Sequence, residues 1–163
     1  MYKQTVTYTD FDDEVVTETF LFNLTSAEVT DLLATDNSFY SDFAALQSKY
    51  RDVKTIAKFV KALILSAYGV RTESGGFRKN AEYRETFAAS EAYSTIYMDL
   101  LQNPDKLMSF FKAVIPSEYR ERMSKLESRP DLLEKFQKGQ EITAEDLEGS
   151  GLSVVKDSNS SKG

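Results

Sequence analysis

The side chains that most often carry out catalysis are scarce in this chain. Histidine and cysteine are absent from all 163 residues, so the usual general base, thiolate nucleophile and transition-metal ligands are missing. Neighbouring carboxylates occur at Asp12-Asp13 and Glu145-Asp146, and a serine precedes a lysine at Ser124-Lys125 and Ser161-Lys162. Catalysis would need such groups to lie in a pocket whose surroundings set their pKa values for the reaction. The neighbouring residues here indicate loops and exposed surface instead. We therefore predict that the protein is not an enzyme and uses no cofactor or metal.

The sequence also does not favour a function in binding phosphate groups or nucleic acids. The pair Gly75-Gly76 lies in a polar segment, but a phosphate-binding loop needs a preceding strand and a longer glycine pattern, and the sequence predicts neither. The net charge is −6, with −7 in residues 1–50, +4 in 51–125 and −3 in 126–163. Nucleic-acid binding needs a dense basic face, whereas the bases of the middle segment alternate with acids. We predict no nucleic-acid partner.

No segment of the sequence resembles a membrane anchor. The longest apolar stretch is Ala62-Leu63-Ile64-Leu65, which is far too short to span a bilayer. The first eight residues lack the apolar centre of a signal peptide. We therefore expect a cytoplasmic protein that does not bind membranes.

The hydrophobic period predicts a β-hairpin followed by helices. Residues 2–8 and 15–22 carry β-branched and aromatic side chains and flank the acidic segment 10–14, which predicts two strands joined by a four- or five-residue loop. The period changes to that of a helix at Thr25, where Thr25 and Glu28 can form a capping box. The predicted fold is mainly α with a small N-terminal β-hairpin (α+β), as a single compact helical domain with a flexible C-terminal tail.

Breaks and caps divide the rest of the chain into a series of helices, with about six expected in the single domain. Val53, Ile56, Val60, Leu63 and Ala67 form one apolar stripe, which predicts the central helix of the fold, with Gly69 just past its end. The segment 70–79 is predicted to be a polar loop. Residues 1–128 should form the hairpin and helical domain, and 129–163 a polar, weakly helical to disordered tail. The other predicted helices cover about 25–34, 39–50, 80–88, 90–102, 104–115, 118–126 and 131–138.

One predicted helix has more apolar residues than a single buried face requires. In 105–115 one stripe consists of Leu107, Phe110 and Val114, and a neighbouring stripe consists of Met108, Phe111 and Ile115. A helix that is apolar over most of its circumference is either central in the core or carries a second, partner-binding face. The sequence leaves both interpretations open, and Met108, Phe111 and Ile115 are the candidate partner-binding residues.

Several segments in order resemble tail assembly chaperones of long-tailed (siphovirus-type) bacteriophages. A helix that ends in Tyr-Gly is followed by a short Ser- and Gly-containing loop and then by Phe-x-Lys, as in 67–79 of this chain. The resemblance covers about residues 5–118, whereas 119–163 match nothing recognisable. The further matching segments are Tyr8–Asp12, Glu18–Thr25, Ala27-Glu28, Tyr83–Phe87, Glu91–Tyr93, Tyr97–Leu100 and Phe110–Pro116.

The resemblance implies a function as a binding protein in tail morphogenesis. Such chaperones bind and solubilise the long, hydrophobic tape measure protein in the host cytoplasm until tail tube subunits polymerise around it, and they are usually absent from the mature virion. The tape measure protein is therefore the expected partner, with the tail tube protein and a second copy of the chain as further candidates. A structural tail or connector component of the virion is the alternative function.

Overall fold

The computed structural model describes residues 1–35, 52–121, 129 and 131. Its first element is the predicted hairpin, formed by β1 (Tyr2–Thr9) and β2 (Val15–Phe22). The strands are antiparallel, and their register runs without interruption from Tyr2 opposite Phe22 to Thr9 opposite Val15. Residues 10–14 form the five-residue connection, which confirms the predicted strands and loop length.

Two later strands extend the hairpin into a four-stranded antiparallel sheet with the order β1-β2-β3-β4. These strands are β3 (Tyr68–Arg71) and β4 (Phe77–Arg78), and β3 pairs with the end of β2 at Leu21 and Phe22. The prediction of a polar loop over 70–79 was therefore wrong at both ends. Only the connection between β3 and β4 is a turn, closed by a hydrogen bond from Thr72 N to Gly76 O with Gly75 at a φ of 83°.

Gly69 lies just past the end of α2, as the sequence predicted, but it belongs to β3, and its φ is not in the left-handed region typical of a glycine that ends a helix. The glycine is required because of close packing. A Cβ atom at position 69 would lie 2.5 Å from Cζ of Phe77 and 2.9 Å from the backbone oxygen of Arg78. The missing side chain therefore allows the ring of Phe77 to lie directly over β3.

Five helices have defined bounds in the described ranges, and residues 117–121 are also helical. Three of them begin with a side-chain cap: Asp52, Asn80 and Ser90 accept hydrogen bonds from backbone N–H groups in the first turn. The helix predicted to end at Ile115 ends one residue earlier. The five helices are α1 (Ser26–Thr35), α2 (Val53–Ala67), α3 (Ala81–Ala88), α4 (Glu91–Gln102) and α5 (Pro104–Val114).

The core lies between one face of the sheet and the helices α2, α4 and α5. Phe22 is fully buried, and its ring lies 5.2 Å from that of Phe110 and 6.0 Å from that of Phe87. The predicted stripe of α2 is buried apart from its first member, Val53, which is 68% exposed because it lies in the first turn of the helix. The central position predicted for α2 is therefore confirmed.

The short connection between β2 and α1 contacts three distant parts of the chain. Asn23 N donates to Ala67 O at 2.8 Å, and Leu24 N donates to Val114 O at 2.9 Å. The ammonium group of Lys79 donates to Asn23 O and to the carboxylate of Glu28, where its distances to the two oxygens are 2.8 and 2.7 Å. These bonds join the ends of α2 and α5 to the sheet.

Glu28 is part of the predicted capping box at the start of α1. Thr25 N donates to Glu28 Oε2 at 2.8 Å, and Glu28 N donates to Thr25 Oγ1 at 3.3 Å. Partial burial favours the neutral acid, but the hydrogen bonds from Lys79 and Thr25 outweigh burial and lower the pKa of Glu28 below its usual 4.5. Glu28 is therefore charged at neutral pH, where it forms an ion pair with Lys79.

Several predictions concern residues outside the described ranges. These are the helix at 39–50, most of the helices at 118–126 and 131–138, and most of the polar tail at 129–163. The chain divides into two compact units, Met1–Pro116 and Ser117–Gly163. The domain boundary predicted at residue 128 also lies outside the described ranges and stays a prediction.

Substitution of Gly69 by alanine should destabilise the protein. The added methyl group would meet both the Phe77 ring and a backbone oxygen, so we expect the free energy of unfolding to fall by about 1–3 kcal/mol. Urea denaturation followed by circular dichroism measures the change. Gly76→Ala, where the nearest atom is the side-chain oxygen of Thr72 at 3.0 Å, is the control and should cost less. Equal stability of Gly69→Ala and wild type would contradict the close packing.

The Glu28–Lys79 pair should make stability depend on acid pH. Because the folded-state pKa of Glu28 is lowered, its contribution is complete above the unfolded value of 4.5 and is lost as pH falls through the folded pKa. We expect Glu28→Gln to lower the free energy of unfolding by about 1 kcal/mol at neutral pH, since Glu28 is partly exposed. This difference should shrink below pH 4.5.

Urea denaturation at a series of pH values tests this dependence. Glu73→Gln, in the exposed turn between β3 and β4, removes the same charge and should show no comparable loss. A Glu28→Gln effect that is constant across this pH range would argue against a charge-dependent contribution.

Candidate functional site

The structure places the candidate partner-binding residues of α5 mostly in the core. Phe111 and Ile115 are 1% and 4% exposed, and the Phe111 ring lies 5.8 Å from that of Phe59 on α2. Met108 is half-buried. The core interpretation therefore fits Phe111 and Ile115 better, because a partner could reach them only if α5 moved. Partner binding by all three residues stays a prediction, and Met108 alone is accessible without rearrangement.

A more accessible apolar surface lies on the neighbouring helix α4. Its buried side contains Ala92, Ile96 and Leu100, which pack against the core and fix the rotation of the helix. Beside this buried stripe, residues at the same helical spacing are only partly covered. We call this surface the α4 face; it consists of the half-buried Tyr93, Tyr97 and Leu101 and of Met98, which is 43% exposed.

Local contacts hold the α4 face in position. The rings of Tyr93 and Tyr97 stack with centroids 5.7 Å apart and an interplanar angle of 26°. Burial, followed by the proximity of Tyr97, raises the pKa of Tyr93 above its usual value, so its hydroxyl stays neutral at physiological pH. At the other end, Asp99 forms an ion pair with Lys106 at 2.7 Å and joins α4 to α5. The α4 face is therefore a fixed, uncharged surface.

A second exposed apolar group surrounds the ends of the hairpin. Met1, Phe11 and Val15 are 56%, 78% and 74% exposed, which is unusual for large apolar side chains. The turn that carries Phe11 is internally bonded: Asp10 Oδ1 accepts hydrogen bonds from Asp12 N and Glu14 N, each at 2.9 Å. Phe11 is therefore presented on an ordered turn among carboxylates.

Tyr8 and Glu18 link the two strands of the hairpin near this turn. The hydroxyl of Tyr8 donates to Glu18 Oε2 at 2.5 Å. This hydrogen bond to a carboxylate, with burial and the nearby charges of Glu18 and Asp10 as smaller causes, raises the pKa of Tyr8 to about 12. The bond joins residues on neighbouring strands and helps to hold the hairpin as one unit.

The described residues offer no arrangement typical of catalysis. They contain no group of three or more acidic side chains placed to hold a metal ion, and Asp12 and Asp13 are exposed turn residues, as predicted for that pair. Two shallow clefts occur, one between α1 and α3 beside Glu28 and Arg84, and one where β2 and β3 diverge beside Glu18 and Arg71. No helix in the described ranges is long and apolar enough to cross a membrane. The remaining carboxylate pair and both Ser-Lys pairs lie outside these ranges.

The sequence contained a signal for the exposed apolar residues that the sequence analysis did not use. Phe11 lies among four acids in a predicted turn, where a large apolar side chain has no core to enter. The α4 face has a weaker signal, because Tyr93 and Tyr97 belong to the same apolar half of the helix as the core residues. Only the tertiary structure separates the fully buried positions from the partly covered ones.

Comparison with known proteins identifies one matching family. The family model described as phage tail assembly chaperone matches residues 1–160. The match includes residues 119–160, which the sequence analysis could not place. No curated protein and no solved structure matches the chain.

Proposed function

The chain belongs to the phage tail assembly chaperone family, and from this premise we propose that it binds and solubilises the tape measure protein during tail morphogenesis. The observation that carries the proposal is the family match over nearly the whole chain. The accessible apolar side chains of the described residues are the physical support. In this proposal the protein acts by binding and has no catalytic role.

The α4 face is the surface that we assign to the tape measure protein. It combines an exposed methionine with two stacked tyrosines and a partly covered leucine. Methionine adapts to apolar groups of different shapes, and tyrosine provides a large contact area at a small cost in side-chain entropy. Such a surface suits a partner that presents many different apolar segments. Met108, half-buried on the adjacent helix α5, is the one predicted contact residue that can join it without rearrangement.

The binding should be driven by burial of apolar surface. Complete burial of a side chain such as Met98 contributes roughly 1.5–3 kcal/mol, and the half-buried neighbours add less. Each chaperone would therefore bind weakly, and many copies along a long client would keep it soluble. Weak individual contacts also allow tail tube subunits to displace the chaperones when they polymerise, which makes the tail tube protein a second, transient partner.

The proposed place of action is the host cytoplasm, before the tail is complete. A chaperone displaced by tube polymerisation does not remain in the particle. The alternative, a structural tail or connector component, requires the protein to remain in the virion. The two functions therefore differ in the final location of the chain.

Met98→Glu should weaken binding of the tape measure protein. A charge on the α4 face must be desolvated on binding, so we expect roughly tenfold weaker affinity and less soluble tape measure protein on co-expression. Met108→Ser should give a smaller loss. Affinity should change little with added salt, since screening weakens charge-driven binding only.

Val53→Glu is the matched control for Met98→Glu. It introduces the same charge at an exposed apolar position on a different helix, and it should leave client solubility unchanged. Circular dichroism must first show that the variants are folded. If folded Met98→Glu solubilises the client as well as wild type, the α4 face is not the client site. If wild type itself fails to bind, the proposed function is wrong.

Mass spectrometry of purified virions tests the proposed location. We expect the protein to be abundant in infected-cell lysates and absent, or present only in traces, in mature particles. The tail tube protein in the same sample provides the reference for a structural component. A copy number comparable to that of a tail protein would favour the structural alternative.

A further inference from the structure

Strand β1 forms an edge of the sheet that no other described strand covers. It spans eight residues and pairs on one side with β2, while no other strand of the described ranges pairs with its second side. Proteins usually protect such an edge with proline, a bulge or several lysines. β1 contains no proline, its register has no bulge, and Lys3 is its only charged residue. The edge is therefore well suited to adding another strand.

The outward face of the hairpin keeps this edge regular. Thr5 lies opposite Thr19 with their hydroxyl oxygens 2.8 Å apart, and Thr7 lies opposite Thr17 with theirs 2.9 Å apart. All four residues are exposed. These cross-strand hydrogen bonds couple β1 to β2 over its central part, so an added strand would meet an ordered edge.

The two ends of the edge differ in charge and each carries an exposed apolar residue. At the start of β1, Met1 is 56% exposed and is followed closely by the basic Lys3. Beyond its end, Phe11 is 78% exposed and lies within the turn formed by Asp10 and three further carboxylates. A complementary strand must therefore place an acidic and an apolar side chain at the first end. At the second end it must place a basic and an apolar side chain. The same edge of a second copy, running antiparallel, meets both requirements.

We propose that two copies of this chain pair antiparallel through their β1 strands around a two-fold axis at Val6, which joins the two four-stranded sheets into one. Directly opposite residues must lie on the same face of a sheet, so only alternate registers are allowed. The register at Val6 places Lys3 opposite Thr9 and beside Asp10 of the second copy. It also brings Met1 close to the second copy's Phe11. Another allowed register has the two-fold axis at Thr5. It pairs as many strand residues as the register at Val6, but it leaves Phe11 beyond the end of the partner strand.

This pairing has a consequence for client binding but does not depend on it. The interface uses β1 and the hairpin turn, whereas the α4 face is on a different element. A dimer presents two α4 faces to one client chain, so a second contact forms at a raised effective concentration. Loss of client binding with an intact dimer would therefore count only against the proposed function.

Sedimentation velocity over a range of protein concentrations tests the interface. Wild type should show a reversible monomer–dimer equilibrium. The double variant with Thr5→Lys and Thr7→Lys should dimerise at least tenfold more weakly, because the register at Val6 places the new lysines of the two copies opposite each other. The matched control is Thr17→Lys plus Thr19→Lys, which adds the same charge to the same face on the inner strand β2. The control should dimerise nearly as well as wild type, and circular dichroism should show both variants folded.

Cysteine cross-linking tests the register, because the chain has no cysteine of its own. Thr5→Cys mixed with Thr7→Cys should form a covalent dimer under mild oxidation, since opposite side chains lie within disulfide range. Each variant alone, and Thr5→Cys mixed with Thr95→Cys on α4, should cross-link far less. Efficient cross-linking of Thr5→Cys with itself would overturn the register at Val6.

Three other results would overturn the pairing itself. The first is a monomeric wild type at all concentrations. The second is a β1 edge that becomes protected from hydrogen exchange only when the tape measure protein is added, which would assign the edge to that partner. Equal weakening of dimerisation by both lysine pairs would likewise reject the edge, since it would place the contact on the outward face.

Discussion

Two peptide groups between β2 and α1 hold together parts of the first unit that are far apart in sequence. Asn23 N bonds to the last residue of α2, and Leu24 N bonds to the last residue of α5. Since Leu24 is 2% exposed, its N–H group has no access to water and would be costly to leave unpaired. Lys79 adds a contact at Asn23 O and fixes the start of α1 through Glu28. The sheet, the central helix and the α4–α5 pair all depend on this connection.

Local patterns in the sequence predicted most helix starts, because the stabilising contacts lie within a few residues. The capping box of Thr25 and Glu28 forms as expected, and Asp52 caps α2 by the same kind of local contact. The strands β3 and β4 were missed because β3 pairs with Leu21 and Phe22, far away in sequence, and β4 has only two residues. A β-hairpin signal existed in the Gly-containing segment between Val70 and Phe77, but it was outweighed by the expectation that Gly69 ends a helix.

The apolar residues of α5 illustrate a limit of helical periodicity. The pattern showed correctly that the helix has more apolar residues than one buried stripe requires, with Phe111 and Ile115 among the additional ones. It did not indicate which part of the protein covers them. In the structure the additional stripe faces the core, where Phe111 packs against α2. In the described ranges, most of the exposed large apolar side chains lie instead on the α4 face or at the ends of the hairpin. Recognition of a client and pairing of subunits can therefore rest on separate parts of one small unit.

The bond between Leu24 and Val114 also bears on how the unit is synthesised. Its acceptor lies two residues before the end of the first unit at Pro116, so almost the whole unit must leave the ribosome before the bond can form. Contacts of such sequence separation slow folding and make it cooperative. Phe22 of the nascent hairpin therefore stays uncovered until α5 has been synthesised and can pack against it. A fragment that stops before α5 should behave as an incomplete chain and not as a smaller domain.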